Sequence, residues 1–257
     1  MTAAMSVARF GDKAKGKPRP SRKGPGQWMV ALLLILLSAI PIAVGIYVLF
    51  ELAAGHVRPE TVRHIAMPAP VVLHVIGAAI FVVLGAFQFV APFRRRFPNW
   101  HRTVGRGLLA CGLVAGLAGL WMTLFYTRLP DTNDLLFVIR LVFSSAMVVF
   151  IILGFIAIRR REVAHHRAWM MRAYAIGLGA GTQAFVFMIA EGFAGPPDQL
   201  GKSLLMGAAW LINLGVAELV IRGGARRAAN TMNSVTARGG LPSLHPYLQE
   251  LAKDQRS

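Results

Sequence analysis

Six apolar blocks, each long enough to cross a bilayer, constrain this chain more than any other feature. A helix needs about 20 apolar residues to span the roughly 30 Å hydrocarbon core, and blocks of that order stand at about 28–50, 70–92, 105–126, 135–158, 168–193 and 204–221. Lipid offers no partner to a backbone N–H or C=O, so only helices or closed barrels span it, and the block length selects helices. The expected fold class is all-α: an integral membrane helical bundle with six transmembrane spans, one domain over about 28–222. Residues 1–27 and 223–257, rich in basic and small polar residues, are expected to be mostly disordered tails. Composition agrees, since 55% hydrophobic and only 15% charged residues with a mean hydropathy of +0.54 exclude an ordinary soluble domain. The first block is too long for a signal-peptide core and no small-x-small site follows it, so it is expected to be retained.

The formal charge of +17 and isoelectric point near 11.5 would by themselves suit nucleic acid, but the basic residues sit at the ends of apolar spans, not along one recognition helix. No nucleic-acid partner is expected. With the N terminus inside, the two tails and two basic turns hold 23 Lys and Arg, against Arg58, Arg63, Arg128 and Lys202 outside. The positive-inside rule then places both termini in the cytoplasm and the chain in the cytoplasmic membrane as a multi-pass protein. Near anionic lipid head groups each tail cation contributes about 1 kcal/mol of attraction. The single Cys111 provides neither a disulfide framework nor a Cys-x-x-Cys metal site. Oligomeric state leaves no sequence signal here.

Polar residues inside spans cost on the order of 2.5–3.5 kcal/mol when charged, so each needs a reason. Estimated depths sort them into two layers. The outer layer holds His74, Arg140, Gln183 and Glu191, where the first expectation is an Arg140–Glu191 ion pair with His74 hydrogen-bonded nearby; an ion or proton site and snorkelling are the alternatives. The inner layer holds Gln88, His101, His165, His166, Arg172 and Glu218. On span two, His74, Gly77, Phe81, Gly85 and Gln88 share a stripe that should face the bundle. On span five, His166, Trp169, Met170, Ala173 and Tyr174 share another.

His101 opens span three and His166 opens span five at similar depth. Neutral imidazole ligates iron and titrates near neutral pH, so this pair is a candidate axial set for haem b. Trp169 and Tyr174 would be the walls, and Arg94, Arg102, Arg167 or Arg172 would pair the propionates. A quinone head group, a non-redox metal or substrate, or a plain headgroup-contacting belt are the other readings of the same residues. Three functions follow: a redox-type protein binding haem or quinone on the inner side; a small-solute or proton-coupled carrier using His74, Arg140, Glu191 and Glu218; or a structural or regulatory protein without chemistry.

The series His74-x-x-Gly77, Gly85-x-x-Gln88, Arg94, His101-Arg102-x-x-Gly105 and His166-Arg167-x-Trp169-Met170-x-Arg172-x-Tyr174 resembles a family of bacterial predicted membrane proteins classed as a domain of unknown function. The resemblance covers roughly residues 70–193. It implies a multi-pass helical bundle of the bacterial cytoplasmic membrane and no particular activity. In architecture the arrangement is also similar to small b-type membrane cytochromes, which hold haem between histidines on neighbouring spans.

The charge distribution yields a direct expectation. Reporter fusions after Asp131 and Asp198 should be active only with a periplasmic reporter, and fusions at Arg96 and Arg161 only with a cytoplasmic one. The reverse pattern at any two sites would invert the orientation.

Overall fold

The computed structural model describes residues 26–56, 64, 66–128 and 132–237. The N-terminal tail to residue 25, the loop residues Arg58, Glu60 and Arg63, and residues 238–257 lie outside the described part. Within it the elements are α1 (Gly26–Ala53), α2 (Pro68–Gln88), α3 (Ala91–Arg96), α4 (Pro98–Phe125), α5 (Asp134–Arg159), α6 (Val163–Gly177), α7 (Gly179–Ala194) and α8 (Gln199–Ala237), and no strand occurs among the described residues. α1, α2, α4, α5 and α8 are each long and apolar enough to cross a membrane, and α6 with α7, bent by 43° at their junction, meets the same criterion only as a pair, so the spans number five, or six if that pair counts as one. This is the expected all-α membrane bundle.

Local chemistry moves several boundaries. Pro92 and Pro98 stand in the first turns of α3 and α4, where a missing N–H costs nothing. The basic turn expected between spans two and three is therefore a short helix followed directly by the opening of α4. His101 and Arg102 thus sit on a helix. α5 is capped by Asn133, whose side chain accepts from the Leu136 N–H at 2.9 Å; Asp134, which the sequence alone offers as the cap, is the first helical residue and pairs with Arg128 at 2.7 Å. At the other end of the chain, α8 runs on to Ala237, through residues where the sequence suggested a disordered tail.

Close backbone approach holds the bundle together. On α2, the buried stripe Gly77, Phe81 and Gly85 faces inward as its spacing predicts. A Cβ on Gly77 would stand 2.9 Å from the Cys111 carbonyl oxygen, and one on Gly112 would meet Phe81 at 2.8 Å and Ile151 at 2.9 Å. α5 meets α6 the same way, with Gly154 against Met170 and Trp169. Phe81, Met147, Ile151 and Tyr174 form the centre of the core. Outward faces are apolar, as lipid contact requires: Ile46 is 62% exposed, Phe50 64% and Leu211 64%. Spacing alone puts Gly207, Leu211, Gly215 and Glu218 on one face of span six, but Leu211 and Gly215 are exposed; Gly207 keeps Ile139 as a neighbour, and the inward face carries Ser203, Trp210 and Ala217.

The bundle has two distinct ends. Trp28 packs edge-on to Phe93 at 5.8 Å and Arg172 bonds Glu218, so the start of α1 and the later part of α8 both lie at the end bearing the basic turns. At the opposite end Tyr126 donates to the Met67 carbonyl at 2.6 Å, and Ser203 donates to Asn133 Oδ1 at 2.7 Å.

Span five breaks at Leu178, between Gly177 and Gly179. Two carbonyls at the break accept from α8 side chains: Ala175 from Asn213 Nδ2 and Ile176 from Trp210 Nε1, each at 3.1 Å. Neighbouring side chains thus satisfy the backbone freed by the bend. Gly179 lies against the Trp210 indole and Gly181 against the Leu37 backbone, both too near for a side chain. Gly181→Ala should cost about 1–3 kcal/mol through overpacking, read as a lower Tm in detergent. Gly192→Ala, where nothing lies within 4 Å, should leave Tm unchanged or slightly raised.

Candidate functional site

Polar side chains gather in two places. At the basic end, α2, α3, α4 and α6 bring Gln88, Arg94, His101 and His166 together. The antiparallel register of α2 and α4, set by His74 beside Ala115, carries Gln88 to the first turns of α4. Arg94 Nη1 reaches back to the Gln88 carbonyl at 3.4 Å. His101 lies within electrostatic reach of Arg94, His166 and Arg102. Both amide atoms of Gln88, and Nδ1 of His101, are sealed from solvent without a hydrogen-bond partner. His166 donates from Nδ1 to the Gly154 carbonyl at 2.8 Å, which holds the imidazole against α5. Burial, followed by the facing guanidinium charges of Arg167 and Arg95, holds the Arg94 pKa below its usual range.

The other sequence-selected inner residues serve the scaffold. Trp169 stacks loosely on Phe150 at 5.4 Å and carries the Arg172 guanidinium over its ring at 4.6 Å. Arg172 Nε donates to Glu218 at 2.5 Å, with Arg222 at 3.8 Å from the other carboxylate oxygen. Tyr174, expected as a wall of a haem site, lies in the core with its hydroxyl donated to the Val82 carbonyl at 2.6 Å and its ring against Phe89. Gly85 opposite leaves space for that ring alone. His165 is exposed and pairs with Glu162 at 3.3 Å.

In the other half of the bundle a cavity of about 370 Å³ opens between α2, α4, α5, the α6–α7 break and α8. Its volume falls in the range of small-molecule sites. His74, Tyr126, Arg140, Ser144 and Gln183 supply polar groups, and Phe81, Met147, Ile176 and Trp210 the apolar wall. His74 donates from Nδ1 to the Ala115 carbonyl at 2.8 Å, its one hydrogen bond to the described residues. A carbonyl accepts only, so this bond fixes the proton on Nδ1 and makes Nε2 of the neutral ring an acceptor. Gln183 donates weakly to the Met206 carbonyl at 3.4 Å.

The outer polar layer is thus a cavity lining, with one correction. Glu191 is exposed on α7, and no ion pair joins it to Arg140 among the described residues. The bend at Leu178 resets the face that the second half of span five presents, so depth matching on a straight helix paired the wrong groups. Nor do the four residues proposed for a carrier form one site, because Glu218 is engaged with Arg172 at the opposite end. Trp210, Ser144 and Asn213 went unnoticed in the sequence. The signal was available: Ser203, Met206, Trp210, Asn213 and Ala217 recur at helical spacing on α8.

Among the described residues no group of three or more His, Cys, Asp or Glu side chains is placed to hold a metal ion. The Arg172–Glu218 bond offers a clean energetic test, since its side chains are only 22% and 32% exposed. Arg172→Leu and Glu218→Leu should each lower stability by about 1.5–3 kcal/mol, and the double change should lose less than the sum, measured as a double-mutant cycle in detergent. Additive losses would show that the pair does not couple.

Residues 71–221 match the family model described as "Predicted membrane protein (DUF2306)". No curated protein and no solved structure matches the chain. The matched segment runs from the first turn of α2 into α8, taking in both polar groupings and more than half of the sequence, and the chain belongs to the DUF2306 family of predicted membrane proteins.

Proposed function

We propose that the protein is a small-molecule-binding membrane protein whose ligand occupies the cavity beside His74, and that this ligand is a ring compound bearing a hydroxyl group, of the quinol class. The observation that carries the reading is the His74 imidazole. Its Nδ1–H is committed to the Ala115 carbonyl, so its Nε2 is an acceptor at the wall of an otherwise largely apolar cavity. A hydroxyl on a flat apolar ring complements that acceptor, and Phe81, Met147 and Trp210 suit the ring itself.

Energetics favour a ligand chosen by its head group. A molecule arriving from lipid gains little from apolar burial, because the tails it leaves are as apolar as the wall it meets. Discrimination therefore rests on the hydrogen bond, worth about 0.5–1.5 kcal/mol net and more where its loss strands a buried group. The redox expectation thus finds its support at the cavity end, away from the basic turns where the sequence suggested a quinone.

The test uses a short-chain quinol and its doubly O-methylated analogue, titrated into detergent-solubilised protein with Tm as the readout. The quinol should stabilise the protein by mass action, by roughly 2.7 kcal/mol at a hundredfold excess over Kd, and so raise Tm. His74→Phe should weaken quinol binding about tenfold and leave the analogue's weak binding unchanged. Equal binding of the two compounds by the unaltered protein would sink the reading, since nothing would then depend on a donated proton.

A further inference from the structure

At the basic end of the bundle, positive charge is brought together with no carboxylate among the described residues to balance it. Arg94 on α3 lies within electrostatic reach of Arg167 on α6 and of His101 on α4. The acids nearest this end are already taken: Glu218 by Arg172 and Arg222, and Glu162 by His165. Like charges converging at a partly buried point oppose folding unless something anionic joins them.

Neutral donors surround the same point. The Gln88 amide is sealed with neither atom bonded, and so is Nδ1 of His101. Buried polar atoms are almost always satisfied, so the Gln88 Nε2 and the His101 Nδ1 beside a cationic cluster ask for a partner that brings acceptors. The guanidinium of Arg94 makes only one long bond among the described residues, to the Gln88 carbonyl at 3.4 Å. Arg167 stays near α8, where a Cβ on Gly224 would lie 3.7 Å from its Nη1, and its guanidinium makes no hydrogen bond among the described residues.

We propose that Gln88, Arg94, His101 and Arg167 form a binding site for a phosphate group, the two arginines matching its charge and the amide and imidazole donating to its oxygens. Guanidinium forks suit a tetrahedral oxyanion with several acceptors. The phosphate can belong to a lipid head group or to a soluble molecule, since both present the same oxygens at a membrane surface. The site is independent of the His74 cavity, which lies in the other half of the bundle, so either can fail without the other.

The experiment places the full chain in phosphatidylcholine bilayer discs and reads thermal unfolding in two arms. In one arm phosphatidylglycerol is added to the bilayer; in the other, inorganic phosphate replaces chloride at matched ionic strength. Stabilisation in the first arm alone assigns a lipid phosphate, and stabilisation in the second a soluble one. In either case Arg94→Gln and Arg167→Gln should weaken the apparent affinity about tenfold each, while Arg160→Gln, an exposed cation elsewhere on the same end, should not. Gln88→Leu separates ligand binding from packing. Replacing an unbonded sealed amide by an apolar side chain should raise the Tm of the ligand-free protein and shrink the phosphate effect together. No stabilisation in either arm overturns the site, as does equal sensitivity of Arg160→Gln or an unchanged phosphate effect in Gln88→Leu. A Soret band in the purified protein that His101→Ala removes would likewise overturn it, in favour of haem ligation.

Discussion

Glycines that admit no Cβ set how near the helices of this bundle approach, and everything else depends on that approach. In lipid, helices gain no hydrophobic energy by meeting one another, so cohesion comes from van der Waals contact and from hydrogen bonds made inside the protein. Gly77 against the Cys111 carbonyl, Gly112 against Phe81 and Ile151, and Gly154 against Met170 bring the backbones near enough for short polar side chains to reach across. Only at that range do His74 meet the Ala115 carbonyl, Tyr174 the Val82 carbonyl and His166 the Gly154 carbonyl. Each side-chain bond is a consequence of a neighbouring glycine.

The break in span five shows the reverse consequence. Where Gly179 and Gly181 press against Trp210 and Leu37, the helix turns by 43° and no longer fills the space between α2, α4 and α5. Trp210 and Asn213 repair the backbone, and what remains is the cavity. The same indole that satisfies Ile176 also walls the space, which makes α8 both scaffold and lining. The two ends then differ in chemistry. The His74 imidazole lines the cavity, and at the basic end Arg94 and Arg167 meet without a carboxylate among the described residues.

Several features of this arrangement were legible in the residues themselves. The stripe of His74, Gly77, Phe81 and Gly85 faces the bundle because period and side-chain size alone demand it. The basic turns fall together at one end because charge does not cross a bilayer cheaply. His101 and His166 were paired by depth, and they lie within electrostatic range of each other at the basic end. Depth misled at Glu191, because a break invisible to periodicity turned its helix. The stripe on span five misled at Tyr174, whose ring was assigned to a site when Gly85 had made room for it in the core.

Sequence alone determined that the chain is a bundle of apolar helices of membrane-crossing length, the faces of α2 and the uneven charge of the two ends, for these follow from bilayer thickness, helical period and the cost of burying charge. Tertiary structure decided which groups meet: Arg172 with Glu218 where Arg140 had been matched to Glu191, Asn213 and Trp210 with the carbonyls of the break, and His74 with a cavity. The physical reason is that periodicity orients a side chain about its own helix axis only. How each helix is rotated and bent against its neighbours is set by contacts between residues distant in sequence, here above all by where glycine lets one backbone touch another.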